Sequence, residues 1–196
     1  MIYAIVGAGG KTSLLKEMAA RFRREGKSVF VTTTTRMFIE EDTLLTDDAD
    51  LILNTLRKDG YVFAGVPEEA KIKSLPADVY SRICEAADVV LVEADGSKHM
   101  PLKYPNENEP VIPDNADEIL VVCGLHGLGK AAKDVCHRLE LVKQHLDISD
   151  DTQITADHVY IDANTTIAKL FSSSGTALDL RANRFSAESV SISNGV

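Results

Sequence analysis

The chain has 196 residues, 44% hydrophobic and 26% charged, which is ordinary globular composition and long enough for one domain with a buried core. Thirty acidic against 21 basic residues leave a net charge of −9, so a polyanion such as DNA would be repelled overall, and no local basic patch offsets this. No apolar run approaches the ~20 residues that span a bilayer, three cysteines are too few for a disulfide framework, and Ile2 to Val6 lacks the basic flank of a secretion signal. The expectations are therefore no nucleic acid, no membrane, and a cytoplasmic location.

Ile2 to Val6 is a short apolar, β-forming run that leads straight into Gly7, Gly9 and Gly10, with Lys11 and Thr12 next. That order predicts a buried strand, a glycine turn and a helix start. Leu14, Leu15, Met18, Ala19 and Phe22 then share one helical face, and Gly26 stands where a C-cap belongs. Arg21, Arg23 and Arg24 fall in the last turn, where cations complement the helix dipole. Ser28 to Thr35 (SVFVTTTT) predicts a second buried strand, completing a βαβ unit. Arg36 to Asp50 reads as irregular and acidic, Asp50 to Lys58 as a helix ended by Gly60, and Tyr61 to Ala64 as a short peripheral strand. Pro76 opens a helix with Val79, Ile83 and Ala87 on one side and Cys84 packed beside them.

Val89 to Val92 is a continuous apolar run, the pattern of a strand covered on both faces, and it ends in acid at Glu93 and Asp95. Residues 97–114 carry four prolines and no periodicity, predicting a long loop of the kind that is functional or disordered. Ile119 to Cys123 predicts a further strand, followed by a second glycine-rich turn, Gly124 to Lys130, and by helical patterns over 137–146 and 155–170. Seven serines in the last 26 residues and no pattern mark 171–196 as a weakly structured or atypical end. Residues 1–170 are expected to form the nucleotide-binding domain and 171–196 its tail.

The chemistry concentrates in the first turn. Glycines let backbone N–H groups approach a phosphate, and the helix that follows offers the positive end of its dipole. Gly7, Ala8, Gly9, Gly10, Lys11, Thr12 and Ser13 are the candidate phosphate-binding residues, with Lys11 the point charge and the Thr12 hydroxyl a Mg²⁺ ligand. The spacing is the short G-x-x-G-K-T form, because Ile5 stands where the longer G-x-x-x-x-G-K-[ST] form needs glycine. Glu93 and Asp95 are the carboxylates expected to order the metal and to orient or deprotonate a nucleophile, which makes Lys11, Glu93 and Asp95 the catalytic candidates and Thr12, Glu93 and Asp95 the metal set. Of the hydroxyls in Thr32 to Thr35, Thr34 is the candidate ligand contact. The second turn, G-L-H-G-L-G-K-A from Gly124, satisfies the longer spacing, but Ala131 stands where the metal-binding hydroxyl belongs; Lys130 is kept as a contact. Cys123, His126, Cys136 and His137 lack the pair spacing of a zinc site and read as buried thiols and a loop histidine.

GAGGKT, TTTTRM, VEADGSKHMPLK, NEPVIP and CGLHGLGK together resemble the YqeC family, over roughly residues 2–145. That family is described as accessory proteins for selenium-dependent molybdenum hydroxylases, or as selenium cofactor biosynthesis proteins. The short glycine turn is also similar to that of Mur-type peptide ligases. The resemblance implies an α/β, P-loop NTPase-like, three-layer fold with a mostly parallel central sheet. It also implies Mg²⁺ with ATP or another nucleoside triphosphate, and a molybdenum hydroxylase or its cofactor-maturation proteins as partners. Lys98, Lys103 and Glu109 would lie on a substrate or partner surface. Three functions stay open: a nucleotide hydrolase or phosphoryl or nucleotidyl transferase, a nucleotide-gated assembly chaperone, and a Mur-like ligase domain.

Overall fold

Alternating apolar runs and amphipathic helices produce an α/β architecture with a mostly parallel sheet in the computed structural model, which describes residues 1–155, His158, and the backbone of 178–180 and 190–192. The chain forms two compact units. Met1–Ile5, Thr12–Ala94 and Val111–Asp117 make the first, and Val6–Lys11, Asp95–Pro110 and Glu118 onward make the second.

The first unit is built on β1 (Ile2–Gly7), α1 (Lys11–Arg24), β2 (Val29–Thr33), β3 (Arg36–Phe38), β4 (Thr43–Leu45), α2 (Ala49–Asp59), β5 (Tyr61–Glu68), β6 (Lys71–Lys73), α3 (Ala77–Ala86) and β7 (Val89–Glu93). β7 lies between β1 and β2, parallel to both, with Ile5 and Thr33 opposite Glu93. All five of its residues are buried, as its unbroken apolar run predicts. β5 continues the parallel order beside β2, and β6 and β3 extend it antiparallel. On one face Phe30, Val62, Ala64, Val90 and Val92 meet Ile52, Leu53 and Leu56 of α2 and Val79 and Ile83 of α3. Asp48 caps α2 by accepting the N–H groups of Asp50 and Leu51, and Gly60 closes it in the left-handed conformation.

Two expectations are corrected here. Tyr61 to Ala64 is no peripheral strand: β5 runs eight residues, and Val62, Phe63 and Ala64 are buried. Residues 36–50 are not irregular throughout, because they carry β3 and β4. Both strands are only three residues long, too short to leave a period in the sequence.

The second unit contains β8 (Leu102–Lys103), β9 (Glu118–Val122), α4 (Ala132–Val135), β10 (Cys136–His137), α5 (Leu139–His145), β11 (Leu178–Leu180) and β12 (Val190–Ile192). β8 pairs with β10 in parallel, and β11 pairs antiparallel with β9 and β12. The proline-rich loop is ordered: Pro101, Leu102, Lys103 and Pro105 are buried. The expected helix over 155–170 and most of the 171–196 tail lie outside the described residues. Among the described residues no helix is long and apolar enough to cross a membrane.

Candidate functional site

The first glycine turn occupies the second unit. Gly7, Gly9 and Gly10 have φ of 91°, 74° and 137°, a region that side-chain residues avoid. A Cβ on Gly7 would sit 2.2 Å from Val122 O, and one on Gly9 would sit 2.5 Å from Gly124 Cα. The glycines are therefore needed both for backbone angle and for close packing. Gly7 donates its N–H to Asp95 Oδ2 at 3.1 Å and Ala8 donates to Val122 O at 2.8 Å. The N–H groups of Gly9 and Gly10 donate to nothing among the described residues. Lys11 is 5% exposed, and its Nζ donates to Gly7 O at 2.9 Å and to Ser97 Oγ at 3.3 Å.

Behind the turn lies an ionic chain, buried at its Asp95 and Lys103 end and half-buried at Glu109 and Arg138. Lys103 Nζ, with its side chain 1% exposed, donates to Asp95 Oδ1, to Gly96 O at 2.6 Å and to Glu109 Oε2 at 2.6 Å, so all three of its protons are used. Arg138 closes the chain by a two-pronged contact to Glu109, at 2.5 and 2.7 Å. Burial pushes the Asp95 carboxyl up, against the pull of the Lys103 ammonium and the Gly7 N–H. Burial also acts on Glu109, but Arg138 and Lys103 outweigh it and hold that carboxyl down at about 2. Lys103, expected on a surface, is thus a buried group that braces Asp95, and Glu109 is a half-buried group that holds Lys103, while Lys98 is exposed.

In the first unit, Thr12 Oγ1 donates to Glu93 Oε2 at 3.2 Å, joining the start of α1 to the end of β7. Thr33 donates its hydroxyl to Glu93 O at 2.7 Å and accepts the Thr35 N–H at 3.0 Å. Thr34, in the bend just after β2, donates to Val111 O at 2.5 Å. The first turns of α2 and α3 carry the acids Asp50 and Asp78, whereas α1 has none there and opens on Lys11. A helix start without its own acid suits an external anion. Ser13, next along α1, is exposed.

The second glycine turn is built differently. Gly127, Leu128, Gly129 and Lys130 donate their N–H groups to Gly124 O, Leu125 O, Ile154 O and Gly127 O, at 3.0, 2.9, 2.7 and 3.4 Å. Lys130 is exposed and the helix that follows, α4, has only four residues. Nearby, burial pushes the Cys123 thiol up to about 12 and the Cys136 thiol to about 11.

Among the sequence candidates, Gly7, Lys11 and Asp95 come together in one unit, and Thr12 with Glu93 in the other. Thr33, Ser97, Lys103 and Arg138 join them without having been singled out for these contacts. One signal was available for Lys103: a lysine set among Met100, Pro101 and Leu102 and followed by Tyr104 has few polar neighbours.

The family model described as "YqeC protein" matches residues 3–140. The chain is 35% identical over 146 residues to a protein of Escherichia coli (strain K12) named "Uncharacterized protein YqeC", covering 70% of this chain and 57% of that one. It therefore spans little more than half the length of this curated relative. No solved structure gave a significant match. A family match over most of the described residues, with the glycine turn and the Glu93 and Asp95 strand end inside it, makes the chain a member of the YqeC protein family.

Proposed function

We propose that this protein binds a nucleoside triphosphate, ATP being the favoured one, together with Mg²⁺, through a P-loop NTPase-like phosphate loop at Gly7 to Thr12. In this reading it hydrolyses the nucleotide or transfers a phosphoryl or nucleotidyl group, in the maturation of a selenium-dependent molybdenum hydroxylase or its cofactor. The observation that carries the reading is the pair of Gly9 and Gly10 N–H groups without partners among the described residues, in a turn whose Gly7 and Ala8 amides are already satisfied. Unpaired amides beside a buried lysine at a helix start are what a phosphate requires. Lys11 would supply the cation once it leaves Gly7 O, and Ser13 a further contact on the first turn of α1.

The donor set also fits Mg²⁺, which takes one or two carboxylates and draws its remaining oxygens from phosphates and water. Thr12 and Glu93, already in contact at 3.2 Å, are the ligands proposed first. Asp95 has both oxygens engaged, so its part on the metal side would run through water or follow release of Lys103. The ion, when bound, would neutralise charge on the outer phosphates. Thr34 and Lys130 stay in the proposal only as peripheral contacts.

A second reading, a nucleotide-gated assembly chaperone, is favoured by the fastening of the 95–109 segment to the turn through Asp95 and Ser97. Titration of the wild type with Mg-ATP, followed by phosphate release over many turnovers, separates the two. Saturable binding that Lys11→Ala weakens ~100-fold or more supports the phosphate loop. Binding that Lys11→Ala leaves unchanged refutes it, and steady phosphate release by the isolated protein removes the pure chaperone reading.

A further inference from the structure

We infer that Lys98 is a second cation for the terminal phosphate of the nucleotide, presented by a turn that the fold holds in an unfavourable backbone conformation. The inference rests on the phosphate-loop reading above. Lys98 and His99 are consecutive residues with φ of 47° and 61°, the left-handed region that a Cβ disfavours and that glycine enters freely. Glycine is present in this turn, but at Gly96, where φ is not positive and nothing lies within 4 Å of an added Cβ. The chain therefore places its side chains where a glycine would be easiest and its glycine where none is required. That arrangement is costly unless the side chains are wanted.

The turn is fastened on both sides of Lys98 and His99. Gly96 O accepts Lys103 Nζ at 2.6 Å, Ser97 O accepts the Met100 N–H at 3.0 Å, and Pro101 O accepts the Gly124 N–H at 2.9 Å. Ser97 Oγ is 3.3 Å from Lys11 Nζ, so the residue before Lys98 touches the lysine of the phosphate loop. Lys98 itself is exposed and makes no ion pair among the described residues. Its charge is felt within the unit: burial, then Arg138, Lys103 and Lys98 hold His137 down at about 4. A solvated surface lysine has no need of a braced left-handed backbone, whereas a lysine that must meet one end of an anion does.

The test compares Lys98→Ala, Lys98→Gly and Lys98→Arg with wild type and Lys11→Ala, by calorimetric titration with Mg-ATP and Mg-ADP and by thermal unfolding. Removal of the charge should weaken ATP ~10-fold and ADP less than ~2-fold, with Lys98→Arg within ~3-fold of wild type for both. Lys98→Gly should unfold about 2–4 °C above Lys98→Ala, because glycine adopts the left-handed conformation most easily. If Lys98→Ala binds ATP as the wild type does while Lys11→Ala loses it, the inference fails and the phosphate loop stands. Equal losses for ATP and ADP also overturn it. If the wild type binds no ATP, the phosphate-loop reading itself is wrong and this inference goes with it.

Discussion

The two glycine turns of the second unit, Gly7 to Lys11 and Gly124 to Lys130, look alike in sequence and differ in what their amides do. The second turn matches the longer phosphate-loop spacing, yet its N–H groups from Gly127 to Lys130 are all spent on carbonyls of the same unit. The first turn departs from that spacing and leaves Gly9 and Gly10 unspent among the described residues. One lysine is buried against its own turn and the other is exposed. Residue spacing sets where groups can go, but backbone hydrogen bonding decides whether anything is left to bind with.

The largest expected effect comes from removing the brace behind the first turn. Lys103→Met would leave Asp95 and Glu109 without their shared cation, and uncompensated buried charge costs about 3–5 kcal/mol. Urea unfolding measures this; Lys130→Met, its counterpart on the second turn, should stay within about 0.5 kcal/mol of wild type. Equal effects at the two lysines would erase the contrast.

A smaller effect separates the glycines. Gly9→Ala must fit a Cβ that lies 2.5 Å from Gly124 Cα and 2.7 Å from Pro101 O, both backbone, as well as a positive φ. A loss of about 3 kcal/mol is expected. Gly129→Ala has a similar φ, 76°, but open space around it, so about 1–2 kcal/mol should suffice. Comparable losses at the two positions would mean that the first turn is not clamped as described.

Acid provides the mildest probe. The Glu109 carboxyl is held at about 2, below its ordinary 4.5, so it lends stability above that ordinary value and withdraws it as pH falls toward 2. Burial pushes Asp95 the opposite way, so its own linkage has the reverse sign. Glu109→Gln should therefore flatten the loss of stability between pH 4.5 and 2, measured by urea unfolding across that range. An acid limb identical to that of the wild type would place the ionic chain outside the energetics.

Much of this was readable in advance, and the failures share a cause. The glycine turn, α1, the buried run of β7 and the cap at Gly60 follow from local rules of propensity, period and backbone angle. The partners of Asp95 do not, because Lys103 and Glu109 lie in a proline-rich stretch without period, and Arg138 is remote in sequence. The length of β5 is hidden in the sequence because Gly65 and Pro67 interrupt the apolar run just where β6 becomes its partner. A run of four threonines does not show which hydroxyl goes where: Thr33, the last residue of β2, donates to the Glu93 carbonyl, and Thr34, in the bend beyond it, donates to the Val111 carbonyl.

Amide resonances of ¹⁵N-labelled protein, followed during titration with Mg-ATP, compare the two turns in one experiment. A phosphate loop at Gly7 to Thr12 predicts large, saturable shifts at Gly9 and Gly10, with Gly127 and Gly129 unmoved. Saturable shifts at Gly127 and Gly129 with Gly9 and Gly10 unmoved, or no saturable shift at either turn, would contradict it.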